Sequence, residues 1–280
     1  MSTLQTTTST GRPTLGTGDA GESYFETDTK NIIVWDGTNW RGYANDGLSF
    51  GGTSYVAELN GTNQYLTLGD VSGTLGGANK CTVSWWLKQP TFTHPSDHGL
   101  MFQTGNGVAN GLFVYFNVNF WSILVGNGSG GFVGVRTSGT STIEDNQWHL
   151  WTVVYDGTQS SNITKVVLYK DSTLQTMAVD TSGTVATSLP STCGDDPYVG
   201  AYYNNGIVNY NNASFDDFAI LDDALTSTQI ANIYNNQIYP SSLQHLYRLE
   251  NNVDDSVGTA DGTQVNSPIT NSPSSPQFPY

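Results

Sequence analysis

The densest chemistry in this chain lies in the stretch YYNNGIVNYNN, where Tyr202, Tyr203 and Tyr210 are interleaved with Asn204, Asn205, Asn209, Asn211 and Asn212. Phenol rings stack on the C–H faces of pyranose rings, and fixed amides exchange hydrogen bonds with sugar hydroxyls. The stretch therefore reads as a glycan-binding loop, with Tyr202, Tyr203, Asn204, Asn205 and Tyr210 as its contacts. The same tyrosines would equally serve to pack the loop on its own domain or on a neighbouring subunit, and both readings stand.

Other reactive side chains give less. His94 and His98 flank Asp97 in TFTHPSDHG, a spacing that a loop can fold around a metal and that an ordinary polar surface loop also shows. His149 belongs to a strand-like run, WHLWTVVY, and reads as a structural or edge residue. No Gly-rich loop opens a helix to cradle phosphate, and no catalytic residue is assigned. Cys81 and Cys193 lack metal-ligand or redox spacing; a disulfide between them is geometrically open and nothing more. Asp216 and Asp217 in SFDDFAIL fall on opposite phases of one strand, which sends one inward and the other to the rim.

The elements that must position these residues follow from composition. The chain has 280 residues and a formal charge of −15, with 9 basic residues scattered rather than clustered. That excludes direct nucleic-acid binding, and no apolar run reaches the roughly 18 residues of a bilayer-spanning helix. Charged residues are 12% of the chain against a usual figure near 25%, and Glu is rare, which argues against a helical protein. Gly and Asn supply turns while Thr and aromatics suit pleated strands, so the fold class is all-β, and a 37% hydrophobic content is enough to close a core. The N-terminus lacks the basic start and apolar stretch of a secretory signal, so the chain is expected to stay in the cytoplasm or leave inside an assembly. The glycosylation-like triplets at Asn60, Asn127, Asn162 and Asn212 are then chance.

Three segments are distinguishable. Residues 1–47 combine a polar lead with SYFETDTKNIIVWDGTNWRGY, which reads as a three-strand meander. Strands this short cannot bury a core alone, so Ile33, Trp35, Trp40 and Tyr43 are expected to contact sister subunits or another protein. Residues 48–236 are strand-like runs separated by Gly, Asn and Ser clusters, the pattern of an antiparallel sandwich. One helix closes them: in LTSTQIANIYNN, Thr226 and Gln229 have capping-box spacing, while Ile230, Ile233 and Tyr234 share a face. Residues 237–280 read as an extra edge strand and an extended C-terminal arm ending in a Pro/Ser tail.

Taken in order, AELNGTNQYLTLGD, CTVSWWLK, DNQWHLWTVVYDG, VVLYKDSTL, YVGAYYNN and ASFDDFAILDDALTSTQIANIYNN resemble the laminin G-like branch of the concanavalin A-like lectin and glucanase fold. The resemblance implies two curved antiparallel sheets stacked in a jelly roll. It also raises calcium, which some relatives hold at the sandwich edge with oxygens such as those of Asp216 or Asp217. Glucanases of this fold use paired carboxylates spaced E-x-D-x-x-E. The nearest match here, Glu26, Asp28 and Asn31, lacks its last carboxylate and lies outside the sandwich. LQHLYRLENNVDDSVGTADGT resembles the phrase that precedes the opening strand in such domains, yet it follows the closing helix. It is an incomplete second module, a strand returned to the sandwich, or one lent to a neighbour. GDAGESYFETDTKNIIVWDGTNWRGY resembles a short β unit of tailed-bacteriophage structural proteins.

These features predict a non-enzymatic phage virion protein, assembled in the host cytoplasm as a homo-oligomer among other virion proteins, whose jelly roll engages host-surface polysaccharide. A glycan-active hydrolase and a purely architectural capsid or tail protein remain the alternatives.

Overall fold

Short apolar runs punctuated by Gly and Asn turns leave little choice but hairpins, and the chain uses them to build two units, Met1–Thr53 and Ser54–Tyr280. The computed structural model describes residues 5–8, 10–11, 13–16, 23–26, 32–35, 40–43, 54–90, 98–104, 108–117, 120–139, 143–195, 197–203, 207–236 and 239–272.

In the first unit, strands Ser23–Glu26, Ile32–Trp35 and Trp40–Tyr43 form the expected antiparallel meander, with Trp35 and Trp40 register partners. Gln5–Thr7, read from sequence as polar lead, adds a fourth strand parallel to Ser23–Glu26.

The second unit is a sandwich of two sheets, each with eight strands. The front sheet runs Met177–Val179, Phe132–Thr137, Phe120–Gly126, Leu112–Asn117, His98–Gln103, Tyr198–Val199, Tyr65–Thr67 and Thr263–Val265. The back sheet runs Thr173–Leu174, Val166–Lys170, Trp148–Asp156, Lys80–Lys88, Ser214–Leu221, Ser54–Glu58 and Ile269–Ser272, with Leu243–Tyr247 also paired to Ser214–Leu221. The segment read as one edge strand and an arm thus supplies three strands. It returns to its own sandwich on both sheets, and its last described residue is Ser272.

Inward-facing residues of both sheets make one core dominated by aromatic rings. Trp121 packs 4.5 Å from Trp151 and 6.0 Å from Trp85, which stacks on Phe218 at 5.9 Å, and Phe102 closes the series 5.0 Å from Phe218. Rings at these separations add to the area they bury, and each large side chain removed from water contributes about 1.5–3 kcal/mol.

A second apolar layer explains why strands such as WHLWTVVYD are apolar on both phases. Helix Ser227–Asn236 lies behind the back sheet and buries Ile230 and Ile233 against Trp86, Leu150, Val154, Leu221 and Leu246, with Tyr234 stacked 5.8 Å from Trp86. The capping box starts this helix as its spacing predicts. The Gln229 N–H donates to Thr226 Oγ1 at 3.3 Å, and Gln229 Oε1 accepts the Thr226 N–H at 2.9 Å. The helix closes the back sheet's outer face.

Strand Ser214–Leu221 departs from simple alternation. Asp216 pairs with Trp86 and Ala219 with Ser84, so one extra residue is inserted, and Asp217 takes a φ of 42° within the bulge. The expected split, one carboxylate in and one at the rim, is therefore wrong: Asp216 and Asp217 are both buried.

Candidate functional site

The outer face of the front sheet carries the residues that alternation leaves pointing away from the core. One lateral row crosses seven strands as Thr263, Thr67, Tyr198, Gln103, Phe113, Leu124 and Gly134. The next row holds Tyr115, Ser122, Arg136 and Ala178. With strands about 4.8 Å apart, the four steps from Tyr198 to Gly134 span about 19 Å.

The Tyr/Asn stretch is built onto this face. Strand Tyr198–Val199 ends at Gly200, whose φ of 79° turns the chain out of the sheet, and a short hairpin follows with Tyr202 opposite Val208 and Tyr203 opposite Ile207. Its return leg is clamped. Gly200 O accepts the Asn211 N–H at 2.8 Å, Ala213 O accepts that of Leu59 at 2.9 Å, and Gln89 Nε2 donates to Asn212 O at 2.7 Å. The half-buried Tyr202 ring stands at 88° to Phe113, centroids 5.2 Å apart, and helps bury it.

Tyr210 comes down beside the sheet 6.2 Å from Tyr65, which is 6.1 Å from Tyr198. All three rings are half-buried, so each keeps an accessible part while its position is fixed by packing. Burial raises the phenol pKa of Tyr65, and Tyr210 adds to the effect, so Tyr65 stays a neutral hydroxyl at ordinary pH. Of the five residues predicted as glycan contacts, Tyr202 and Tyr210 occupy this face. Tyr203 is placed in the hairpin strand with its side chain outside the described set, and Asn204 and Asn205 lie outside the described residues. Sequence reading missed Tyr65, Tyr198 and Phe113, whose only signal is period-two placement on strands not known in advance to be neighbours.

A family model for the concanavalin A-like lectin/glucanases superfamily, of the laminin G type, matches residues 60–231, well over half the chain. The chain belongs to that superfamily. Among solved structures it is similar to a candidate carbohydrate binding protein from Bacteroides ovatus, at 13% identity and a TM-score of 0.54 over 90% of this chain and 70% of that one. A SAP-like pentraxin from Limulus polyphemus matches at 14% identity and a TM-score of 0.48, over 78% of this chain and 94% of that one. The CBM40 of the Ruminococcus gnavus IT-sialidase matches at 15% identity and 0.47, over 64% and 95%. At these identities the likeness concerns the fold. No curated protein matches the sequence.

Superfamily members that hydrolyse sugars need two carboxylates facing one cleft. Here Asp216 and Asp217 sit inside, near Arg248, Glu250 and Tyr239. Burial and then the Asp217 charge push the Asp216 carboxyl well above the usual carboxylate range. His149 lies on the back sheet between Asp171 and Asp145. Among the described residues no group of three or more His, Cys, Asp or Glu side chains is disposed to hold a metal ion. The side chains of His94, Asp97 and His98, and those of Ile33, Trp35, Trp40 and Tyr43, lie outside the described set. Cys81 and Cys193 are free and buried, and burial raises both thiols, Cys193 to about 11.

Proposed function

We propose that this chain is a non-enzymatic structural protein of a phage virion that holds cell-surface glycans on the front face of its sandwich. The observation that carries the reading is the tyrosine strip. Tyr65 and Tyr198 stand on sheet strands with rings 6.1 Å apart, Tyr210 packs 6.2 Å from Tyr65 from the adjoining loop, and Tyr202 stands on the same face. Rings held in place before the ligand arrives lose little conformational freedom on binding, which favours weak but specific stacking.

Display supplies what a single weak site lacks. The N-terminal sheet has strands of only three or four residues, too short to bury a core of their own, so Ile33, Trp35, Trp40 and Tyr43 serve as contacts to sister subunits and other virion proteins. Repeated contacts of about millimolar strength then sum by avidity on host polysaccharide. The resemblance of residues 18–43 to tailed-phage structural units supports a virion as the place of assembly.

The test is a glycan array probed with the full-length chain and with a Tyr202→Ala/Tyr210→Ala double variant. Binding by the first and loss in the second is expected. An undiminished signal removes the tyrosine strip, no signal removes glycan binding, and release of reducing sugar from a bound polysaccharide removes the non-enzymatic reading. A monodisperse monomer in sedimentation removes the assembly role.

A further inference from the structure

Beyond the Tyr202 hairpin, the front face ends in a different chemistry. Arg136 is the only Lys or Arg on any described strand of that sheet. Its guanidinium carbon lies 4.6 Å from the centroid of the Phe120 ring, and its Nε stands 3.6 Å from Asp180 Oδ1, too far for a hydrogen bond. That Nε is buried and has no hydrogen-bond partner, although the Arg136 side chain as a whole is 41% exposed. Asp180 is held from below: its N–H donates to Gly134 O at 3.0 Å, and the Gly134 N–H donates to Thr181 Oγ1 at 2.8 Å. A Cβ at Gly134 would stand 3.3 Å from Asp180 Oδ2 and 2.6 Å from Leu124 Cδ2, so the glycine lets Asp180 and Leu124 pack directly over this strand. Tyr115 and Ser122 share the lateral row of Arg136.

We propose that this corner is a second sugar subsite, distinct from the tyrosine strip, that takes the vicinal diol of a neutral hexose. The proposal rests on the glycan-binding reading and names the ligand class. Adjacent ring hydroxyls present two oxygens that accept and two protons that can be donated. Arg136 supplies donors, Asp180 supplies acceptors a few ångströms away, and Phe120 and Tyr115 offer apolar edges for the ring C–H groups. The pair is electrically balanced and sits on a chain of net charge −15. A uronate or sialate would set a second carboxylate beside Asp180, a like-charge contact that disfavours binding. The geometry suits neutral sugars.

The experiment uses the full chain on an array of neutral hexose glycans and of hexuronate- and sialate-terminated glycans, at low and high salt. It is repeated with Asp180→Asn and Arg136→Gln, with a melting curve for each variant to confirm folding. Neutral glycans should bind with no salt dependence, and each variant should weaken them by about tenfold or more, as expected for loss of a charge-assisted hydrogen bond. Binding confined to acidic glycans overturns the ligand class. Neutral binding unchanged in both variants but lost in the Tyr202→Ala/Tyr210→Ala protein overturns the subsite and leaves the strip standing. Absence of any binding by the unaltered chain removes both.

Discussion

Nδ1 of His149 lies 2.5 Å from Oδ2 of Asp171, whose other carboxylate oxygen accepts the N–H of Leu150 at 2.9 Å. Nε2 of the same ring is 2.9 Å from Asp145 Oδ2, with Lys170 Nζ 3.8 Å from that oxygen. Burial disfavours the imidazolium, but the hydrogen bonds to Asp171 and Asp145 and the charge of Asp171 outweigh it, and the His149 pKa is raised. A raised folded-state value means that the stabilisation is fully present below the unfolded value of about 6.5 and fades as pH rises through the folded one. His149→Gln should therefore narrow the gap in unfolding free energy to the unaltered protein as pH rises from 6 to 9. Denaturant titrations across that range check it, and parallel curves for the two proteins count against the carboxylate clamp.

A second histidine repeats this arrangement. His245 Nδ1 is 2.6 Å from Asp255 Oδ2, and Asp255 Oδ1 accepts the N–H groups of Leu246, Val257 and Gly258 at 3.1, 3.2 and 2.9 Å. Burial opposes its charge, yet these donors hold the Asp255 carboxyl below the usual carboxylate range. Stability from a depressed carboxyl is present above the unfolded value of about 3.9 and lost as pH falls through the folded one. Asp255→Ala strands several donors together and should lower stability by about 3 kcal/mol or more, since each buried unsatisfied group costs about 1–3 kcal/mol. A loss below 1 kcal/mol in chemical denaturation at neutral pH would show that Asp255 does not organise the return segment.

The parts of the fold that proved legible have local causes. Thr226 and Gln229 announce the helix because both caps lie within one turn, and the meander over residues 23–43 follows from two turn-rich tetrapeptides between apolar runs. What sequence hides is pairing at long range. Thr263 reaches Thr67, and Ile269 reaches Ala57, by register partners some two hundred positions away, so the tail reads as an arm. Arg136 and Asp180 meet only because Met177–Val179 pairs with Phe132–Thr137, a juxtaposition that no spacing encodes. The split between Asp216 and Asp217 fails for another reason: a single inserted residue cancels the period-two rule on which the inward and outward assignment rests.

That inserted residue has an energetic consequence. Asp216 Oδ1 accepts the Asp217 N–H at 2.9 Å, while burial and the Asp217 charge raise the Asp216 pKa well above the ordinary carboxylate range. An acid with a raised folded-state value loses stability as pH rises above its unfolded value near 3.9, because the folded chain then retains a proton that the unfolded chain releases. Asn keeps the accepting oxygen and carries no proton to lose. Asp216→Asn should stabilise the protein at neutral pH, and the gain should vanish near pH 4. Thermal unfolding at both pH values decides it; a gain at pH 4 equal to that at pH 7 points to a cause other than ionisation.

The position of Tyr202 on the front face depends on one backbone angle. Gly200 has a φ of 79°, where an L side chain is strained by about 1–2 kcal/mol, and a Cβ there would collide with Leu59 Cδ1. Its carbonyl also receives the Asn211 N–H that closes the base of the hairpin carrying Tyr202. Gly200→Ala should therefore destabilise the domain by about 2 kcal/mol and displace Tyr202 from Phe113. The Tyr65 and Tyr198 strands pair through residues the substitution does not touch. The expected signature is a lowered melting temperature together with altered ring-current shifts at Phe113 and retained shifts at Leu66 and Thr67. Loss of stability without any change at Phe113 would mean that Leu59 alone yields to the new methyl group and that Gly200 does not set the hairpin.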